Sequence, residues 1–236
     1  MLVSNIIANT LKKAGINDIF MLTGYGAMFL NDAIEQAGIK FYAARNEAAA
    51  PMMAEAYSKA KNSIGAVCVT AGPGATNALP GLAEAYVDSA PVIVISGQVE
   101  KIYTADNYKK LKIRTIGTAE FSVTRLLKNI TKYSVKLTNP KLCLYEVQKA
   151  LHIAKSGRPG PVWIEIPLDV QSTKIDNFTR LKQFKPKFKK KERINDKLEK
   201  IYKKLLEAKK PLFAIGNGLK QSECHNIFKK LENKLN

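Results

Sequence analysis

Short apolar runs alternate with longer segments of helical period over residues 1–172, and this alternation restricts the fold more than any other feature. Six runs are typical of buried strands and lie at residues 18–22, 39–43, 64–70, 92–96, 132–137 and 162–166. Most segments between them repeat their apolar residues at a spacing of three or four, which is typical of helices. Strands that alternate with helices form parallel sheets. The sequence therefore predicts an α/β fold with a parallel six-stranded sheet and helices on both faces.

The composition predicts three parts in the chain. Residues 1–172 carry the alternation, and residues 173–193 form a basic linker. Residues 194–236 contain an amphipathic helix at 194–206, an apolar run at 212–215 that is typical of a strand, a glycine-containing turn and a further helix. A single strand and its helices cannot bury both faces of that strand, so this part is predicted to be the truncated start of a second α/β domain.

The charge is distributed unevenly. The formal net charge is +18, yet residues 1–100 hold 6 basic and 8 acidic side chains, while residues 180–210 hold 14 basic and 4 acidic ones. No nucleic-acid-binding motif accompanies the lysine cluster at residues 185–191, so we predict a solvated linker and no nucleic-acid partner. No apolar run is long enough to span a membrane and no signal peptide is evident, which predicts a cytoplasmic protein without a membrane partner.

The cysteines and histidines give no metal or disulfide pattern. Cys68, Cys143 and Cys224 are odd in number and far apart, which fits neither a disulfide framework nor a Cys-x-x-Cys site. His152 and His225 stand alone in the sequence. We therefore predict no metal ligands within this chain.

Two neighbouring strand ends carry residues suited to a ligand. Glu47 lies where the strand at 39–43 gives way to a helix over 47–61, and Gly72-Pro73-Gly74 forms a turn after the strand at 64–70. A glutamate at a helix start is ordinary, because unpaired backbone N–H groups and the helix dipole favour a carboxylate there. Ligands nevertheless bind at the carboxyl ends of parallel strands, so a carboxylate beside a glycine-rich turn makes a candidate cofactor site.

Several motifs in order resemble those of one enzyme family. The matching segments are Arg45-Asn46-Glu47-Ala48-Ala49-Ala50, Thr70-Ala71-Gly72-Pro73-Gly74-Ala75-Thr76-Asn77, residues 85–91, Gly97-Gln98-Val99, residues 156–162 and residues 166–170. They resemble the N-terminal, pyrimidine-binding domain of thiamine diphosphate enzymes of the acetolactate synthase type. The resemblance covers residues 1 to 172.

The resemblance implies a cofactor and a set of residues that contact it. Glu47 would hydrogen-bond a ring nitrogen of the thiamine diphosphate pyrimidine and so make the exocyclic amine the local base, as the catalytic residue. The other implied cofactor-binding residues are Gly24, Tyr25, Thr70, Gly72, Pro73, Asn77 and Gln98. The implied substrate is a 2-oxoacid of the pyruvate type, and the implied activity is that of a carboligase or decarboxylase.

The chain also departs from the family pattern. Asn46 replaces the usual histidine, Tyr25 replaces a glycine, and Ala119 stands where many relatives carry glutamine. The Gly-Asp-Gly motif that anchors the diphosphate through Mg²⁺ is absent from the sequence. Magnesium would therefore act through a domain outside this chain, and the chain alone is expected not to turn over substrate. FAD occurs in the family but is not supported here.

Alternatives remain open. The chain is either a fragment of a carboligase or one half of a split enzyme, and it pairs either as a homodimer or with a chain that carries the diphosphate-binding domain. A non-catalytic regulatory or binding subunit is the second hypothesis, and the presence of Glu47 argues against it. A nicotinamide-binding protein is disfavoured, because Asn77 stands where that fingerprint needs its third glycine.

Overall fold

A computed structural model describes residues 1–186 and 195–235. The chain divides into two compact units, Met1–Pro186 and Lys187–Asn236. The predicted boundaries at 172 and 193 remain predictions. Most of the predicted lysine cluster, residues 187–191, lies outside the described residues.

The first unit contains six strands and seven α-helices among the described residues. The strands are β1 (Asp18–Met21), β2 (Lys40–Ala43), β3 (Gly65–Val69), β4 (Val92–Gln98), β5 (Tyr133–Lys136) and β6 (Val162–Pro167). The helices are α1 (Val3–Lys13), α2 (Met28–Gln36), α3 (Ala49–Lys61), α4 (Gly72–Asn77), α5 (Leu79–Val87), α6 (Cys143–Lys155) and α7 (Leu168–Gln171). Short 3-10 turns occur between them, including one at Tyr25–Ala27 and one at Ala105–Leu111.

The strands form one sheet of order β2-β1-β3-β4-β6-β5, and all neighbouring pairs are parallel. The predicted six-stranded parallel sheet is confirmed. The central strands β3, β4 and β6 are buried along their whole length, because helices pack on both faces. Trp163 on β6 is fully buried, and its indole Nε1–H donates to Ser96 Oγ at 2.8 Å, which satisfies the one polar group of that side chain.

The residues predicted to form a glycine-rich turn lie inside a helix. Gly72-Pro73-Gly74 is the first turn of α4, which is followed directly by α5. Proline suits the start of a helix, because the N–H group that it lacks has no helical partner there. The predicted helix at 47–61 begins at Ala49, so Glu47 lies in the turn before α3.

The first and last segments of this unit pair with each other. Leu2 forms an isolated antiparallel bridge with Lys174, and the Val3 amide donates to the Thr173 carbonyl at 3.0 Å. Beyond this bridge, Ile175 and Leu181 pack against the hydrophobic cluster that lies on the α1 and α6 side of the sheet. Residues 173–181, which were predicted as linker, thus contribute to the core of the first unit.

The described part of the second unit is helical. It contains α8 (Asn195–Glu207), α9 (Asn217–Gln221) and α10 (His225–Leu235), and the predicted amphipathic helix at 194–206 corresponds to α8. The strand predicted at 212–215 is wrong, because these residues lie in an irregular segment and Leu212 is 93% exposed. A lone apolar run has no neighbouring strand among the described residues with which to pair, so its backbone cannot enter a sheet.

Candidate functional site

The candidate site lies at the carboxyl edge of the sheet. Glu47 follows β2, the turn at Tyr25–Ala27 follows β1, and Thr70 follows β3. These three strands are neighbours in the order β2-β1-β3 and run parallel, so their following loops meet at one edge. This is the edge at which open α/β sheets bind ligands.

Glu47 is half-buried, and two asparagines fix its surroundings. Asn77 Nδ2 donates to Glu47 Oε2 at 2.8 Å, which joins the end of α4 to the turn before α3. The neighbouring Asn46 Oδ1 accepts from the Ala49 amide at 2.9 Å and so satisfies one of the free N–H groups at the start of α3. Asn46 therefore supports the helix start at a position where the family usually has histidine.

Gly74 leaves room beside the other carboxylate oxygen. A Cβ atom at this position would lie 2.9 Å from Glu47 Oε1 and 2.6 Å from Thr70 Cγ2. Among the described residues, no group donates a hydrogen bond to Oε1, whereas Oε2 is held by Asn77. One oxygen is thus fixed, and the other remains available to a ring that approaches over a glycine. This arrangement fits a flat heterocycle such as the cofactor pyrimidine.

Thr70 joins the loop after β1 to the end of β3. Its Oγ1 accepts from the Gly26 amide at 3.1 Å, and a Cβ atom on Gly24 would lie 2.6 Å from Thr70 Cβ. Glycine at position 24 therefore allows the two backbones to approach closely. Thr70, Gly24, Gly74 and the Glu47–Asn77 pair form one connected group.

Sequence reasoning missed two residues that hold the loop after β1, Gly97 and Gln171. A Cβ atom on Gly97 would lie 1.8 Å from the Gly26 carbonyl oxygen, so the loop rests directly on β4. Gln171 Nε2 donates to the same carbonyl at 2.7 Å. A glycine inside an otherwise apolar strand often marks a close approach of another backbone, which is the signal that Gly97 carried.

Two other predicted residues, Tyr25 and Pro73, form hydrogen bonds with residues outside the Glu47 group. Tyr25 is 63% exposed, and its hydroxyl donates to Glu100 Oε1 at 3.1 Å rather than to a residue of the Glu47 group. Its hydrogen bond to the Glu100 carboxylate raises the pKa of Tyr25. Pro73 lies in the first turn of α4, and its carbonyl accepts from Thr76 Oγ1 at 2.9 Å.

Gly72 supports the site through its backbone. It has a φ of +54°, and a Cβ atom there would lie 1.8 Å from the carbonyl oxygen of Ala119. Only glycine meets both conditions without strain, since L-residues disfavour a positive φ. Gly72 thus connects the start of α4 to the loop that contains Ala119.

Gln98 faces the interior instead of the open edge. It is 1% exposed, its Nε2 donates to the Phe121 carbonyl at 3.0 Å and to Glu165 Oε1 at 3.2 Å, and its Oε1 accepts from the Val99 amide. Its amide is occupied by these partners. Direct cofactor contact by Gln98 therefore stays a prediction that this side-chain geometry does not favour.

Glu165 is the centre of this buried network. It is 1% exposed and receives hydrogen bonds from Gln98, from Ser122 Oγ at 3.2 Å and from the Val123 amide at 3.2 Å, with Lys136 Nζ 3.7 Å away. Burial raises the pKa of Glu165, while the donors and the lysine oppose that shift. The network attaches the segment around residues 121–123 to β6.

We expect Glu165→Gln to lower the free energy of unfolding by about 1–3 kcal/mol, because its amide N–H₂ would face the Val123 amide and leave donors unpaired. The raised pKa adds a pH dependence. Ionising Glu165 costs stability in the folded chain, so the advantage of the wild type over the variant should shrink as pH rises through the raised pKa. Urea unfolding at several pH values measures both effects, and a difference that grows with pH would contradict them.

The described residues contain no cluster of three or more metal-ligating side chains, and no helix among them is both long and apolar enough to cross a membrane.

Comparisons with known proteins agree with this geometry. Residues 1–117 match the family described as thiamine pyrophosphate enzyme, N-terminal TPP binding domain. The acetolactate synthase large subunit of Lactococcus lactis is 34% identical over 228 residues, which cover 96% of this chain and 38% of that protein. The large subunit of Haemophilus influenzae is 30% identical over 244 residues, covering 99% of this chain and 40% of that protein. The chain thus spans well under half the length of these relatives.

Proposed function

The chain carries the N-terminal domain of an acetolactate synthase-like thiamine pyrophosphate enzyme, and we propose that it supplies the pyrimidine-binding half of a thiamine diphosphate site in a 2-oxoacid carboligase or decarboxylase. In this proposal Glu47 is the catalytic residue that activates the cofactor. The substrate is a 2-oxoacid of the pyruvate type. The diphosphate and its Mg²⁺ are held by a diphosphate-binding domain that residues 1–236 do not contain, and the chain pairs as a homodimer or with a chain that carries such a domain.

One observation carries the proposal: Asn77 fixes one oxygen of Glu47, and no described residue donates to the other oxygen, which lies beside Gly74. A carboxylate that must accept or share a proton at one particular ring nitrogen needs a fixed direction, and the Asn77 hydrogen bond provides it. Gly74 and the small residues Ala48 and Ala49 allow a ring to approach within hydrogen-bond distance. A carboxylate with this orientation is what general acid–base work on a heterocycle requires.

Glu47, Asn77 and Thr70 would each have a separate role in cofactor activation. Bound thiamine diphosphate supplies a carbon nucleophile once its aminopyrimidine acts as the local base. Glu47 Oε1 would hold the proton at the ring nitrogen para to the amine. Asn77 would keep the carboxylate from rotating. Thr70, through Gly26, would hold the loop after β1 against the site and limit the access of water.

A titration of the 236-residue chain with thiamine and its ring analogues tests this proposal. We expect thiamine to bind, the analogue with carbon in place of the ring nitrogen para to the amine to bind about tenfold more weakly, and the analogue with carbon at the other ring nitrogen to be less affected. Glu47→Ala should remove the difference between thiamine and the first analogue. Equal binding of all three ligands by the wild type would contradict a role for Glu47 at that nitrogen.

We expect Asn77→Ala to weaken thiamine binding by about tenfold, because it removes a hydrogen bond to a charged group and frees the carboxylate to rotate. Isothermal titration of the purified variant measures the loss. Thr76→Ala is the matched control, since Thr76 Oγ1 bonds only to the Pro73 carbonyl among the described residues. If Asn77→Ala binds thiamine as tightly as Thr76→Ala does, the positioning role of Asn77 is refuted.

A further inference from the structure

Two of the sequence motifs meet at the end of α5, which lies at the amino edge of the sheet because β4 follows it. Residues 85–91 contain this helix end, and residues 156–162 contain the loop between α6 and β6. Neither motif contains a residue of the proposed cofactor site. Arg158 Nε donates to Ser89 Oγ at 2.6 Å, and its Nη2 donates to the Val87 carbonyl at 3.4 Å. The arginine thus binds the end of α5, where helical carbonyls lack partners within the helix.

Lys59 holds the same end of α5 from α3. Its Nζ bonds to the carboxylate of Asp88, the residue directly after α5, and lies 2.5 Å from Glu55 Oε1, one turn earlier in α3. The Glu55 side chain is only 4% exposed, and its Oε2 has no hydrogen-bond partner among the described residues. Burial raises the pKa of Glu55, and the contacts with Lys59 oppose that shift. Lys59 therefore compensates a buried carboxylate and at the same time joins α3 to α5.

The helices α3 and α5 are joined at their starts as well as at their ends. Both run from the carboxyl edge of the sheet to its amino edge, because each connects two parallel strands. At the start, Asn77 bonds to Glu47, and a Cβ atom on Gly81 would lie 2.7 Å from the Ala48 carbonyl oxygen. The contacts of Lys59 lie about 15 Å further along α3. The position of α5 along α3 is thus set at two separate places.

Asn77 is firmly connected to α5. It is the last residue of α4, and only Ala78 separates it from the first residue of α5. Ala78 is fully buried and has helical dihedral angles, its amide donates to the Ala75 carbonyl at 3.2 Å, and its carbonyl accepts from the Leu82 amide at 3.1 Å. A shift of α5 along α3 would therefore carry Asn77 with it and break the hydrogen bond to Glu47.

We propose that Lys59 and Arg158 are positioning residues of the cofactor site: by holding the end of α5, they keep Asn77 against Glu47. This inference rests on the proposed function of Glu47. Neither cation contacts the cofactor, and both act on the carboxylate only through α5 and Asn77.

Loss of the Lys59 charge should release the end of α5. The carboxylates of Glu55 and Asp88 both contact the Lys59 ammonium group, so its removal leaves two neighbouring negative groups, one of them buried, without their shared cation. The two groups then repel each other across the contact between α3 and α5. Arginine at position 59 would keep the charge and could bind both carboxylates.

The ratio between the binding of thiamine and that of the analogue with carbon at the ring nitrogen para to the amine tests Lys59 in the 236-residue chain. The wild type should show a ratio of about ten, and Lys59→Met should reduce it to about three or less. Lys59→Arg should restore the ratio, and Lys61→Met, which removes an exposed lysine of the same helix, should leave it unchanged. Circular dichroism establishes that each variant is folded. A full ratio in Lys59→Met would overturn the role of Lys59.

Arg158 is tested by the same ratio. Arg158→Gln removes the charge that binds the end of α5 and should lower the ratio about as far as Lys59→Met does. Arg180→Gln removes an exposed arginine whose side chain bonds to no described residue, and it should keep the ratio of the wild type. An unchanged ratio in Arg158→Gln would refute the role of Arg158.

A measurement without ligand separates this inference from the proposed function. If the wild type does not distinguish thiamine from the analogue, the role of Glu47 fails, and urea unfolding of Lys59→Met, Asn77→Ala and the double variant still tests the connection through α5. Changes at sites this far apart normally add, so a coupling of about fivefold or more in the unfolding equilibrium constant supports the connection. Additive changes would overturn it.

Discussion

Glu47→Gln is expected to lower the carboligase rate by about 10²–10⁴-fold, the range that positioned acid–base groups supply. Glutamine preserves the size of the side chain, but its neutral amide has no acidic proton to share with the ring nitrogen, so it would not make the exocyclic amine the local base. The rate can be measured in a chimera in which residues 1–186 replace the corresponding segment of the Lactococcus lactis acetolactate synthase large subunit. Pyruvate consumption and exchange of the cofactor thiazolium hydrogen in deuterated water give two readouts of the same step.

Glu35→Gln is the matched control for this substitution, because Glu35 is an exposed residue of α2. The control should retain the rate of the parent chimera. If Glu47→Gln slows neither pyruvate consumption nor hydrogen exchange in an active chimera, Glu47 does not activate the cofactor. If only pyruvate consumption falls, Glu47 acts after activation, and the assigned role would need to change.

Gly72→Ala should lower the free energy of unfolding by about 2–5 kcal/mol. The first part of the loss is the cost of about 1–2 kcal/mol for an L-residue in the left-handed region. The second part is about 1–3 kcal/mol for overpacking, because the new Cβ would lie 1.8 Å from the Ala119 carbonyl oxygen. Urea unfolding of the purified chain measures the sum.

Gly157→Ala separates the two parts of that loss. Gly157 has a φ of +61°, close to that of Gly72, but nothing lies within 4 Å of an added Cβ. We expect this variant to lose only the conformational part, about 1–2 kcal/mol. Equal losses at the two glycines would mean that the Ala119 segment moves aside freely, and the connection between Gly72 and that segment would then carry little energy.

The sheet could be predicted from the sequence because its strands are short, apolar and separated by helical segments. Val92–Gln98 and Val162–Pro167 are buried along their full length, and a buried strand has few alternatives to a parallel sheet. The strand predicted at 212–215 was wrong for the same physical reason. An apolar run becomes a strand only where neighbours accept its backbone hydrogen bonds, and a single sequence does not supply those neighbours.

The site could be predicted in part. Glu47 and Asn77 are 30 positions apart, and their motifs placed them at neighbouring strand ends, where the structure joins them by a hydrogen bond. The direction of Gln98 could not be read from its motif, because it depends on Glu165, which is 67 positions away. Gly97 carried a signal, a glycine inside an apolar strand, but the sequence did not show that its partner is the carbonyl of Gly26.

The antiparallel bridge between Leu2 and Lys174 has a consequence for synthesis on the ribosome. The first residues of the chain emerge early, yet their backbone partners, Thr173 and Lys174, are made only after the last strand of the sheet. Until residue 175 has left the exit tunnel, α1 lacks the segment that ties its start to the domain. Folding of this domain during translation should therefore finish late, and a nascent chain stalled before that point should remain sensitive to protease near its amino terminus.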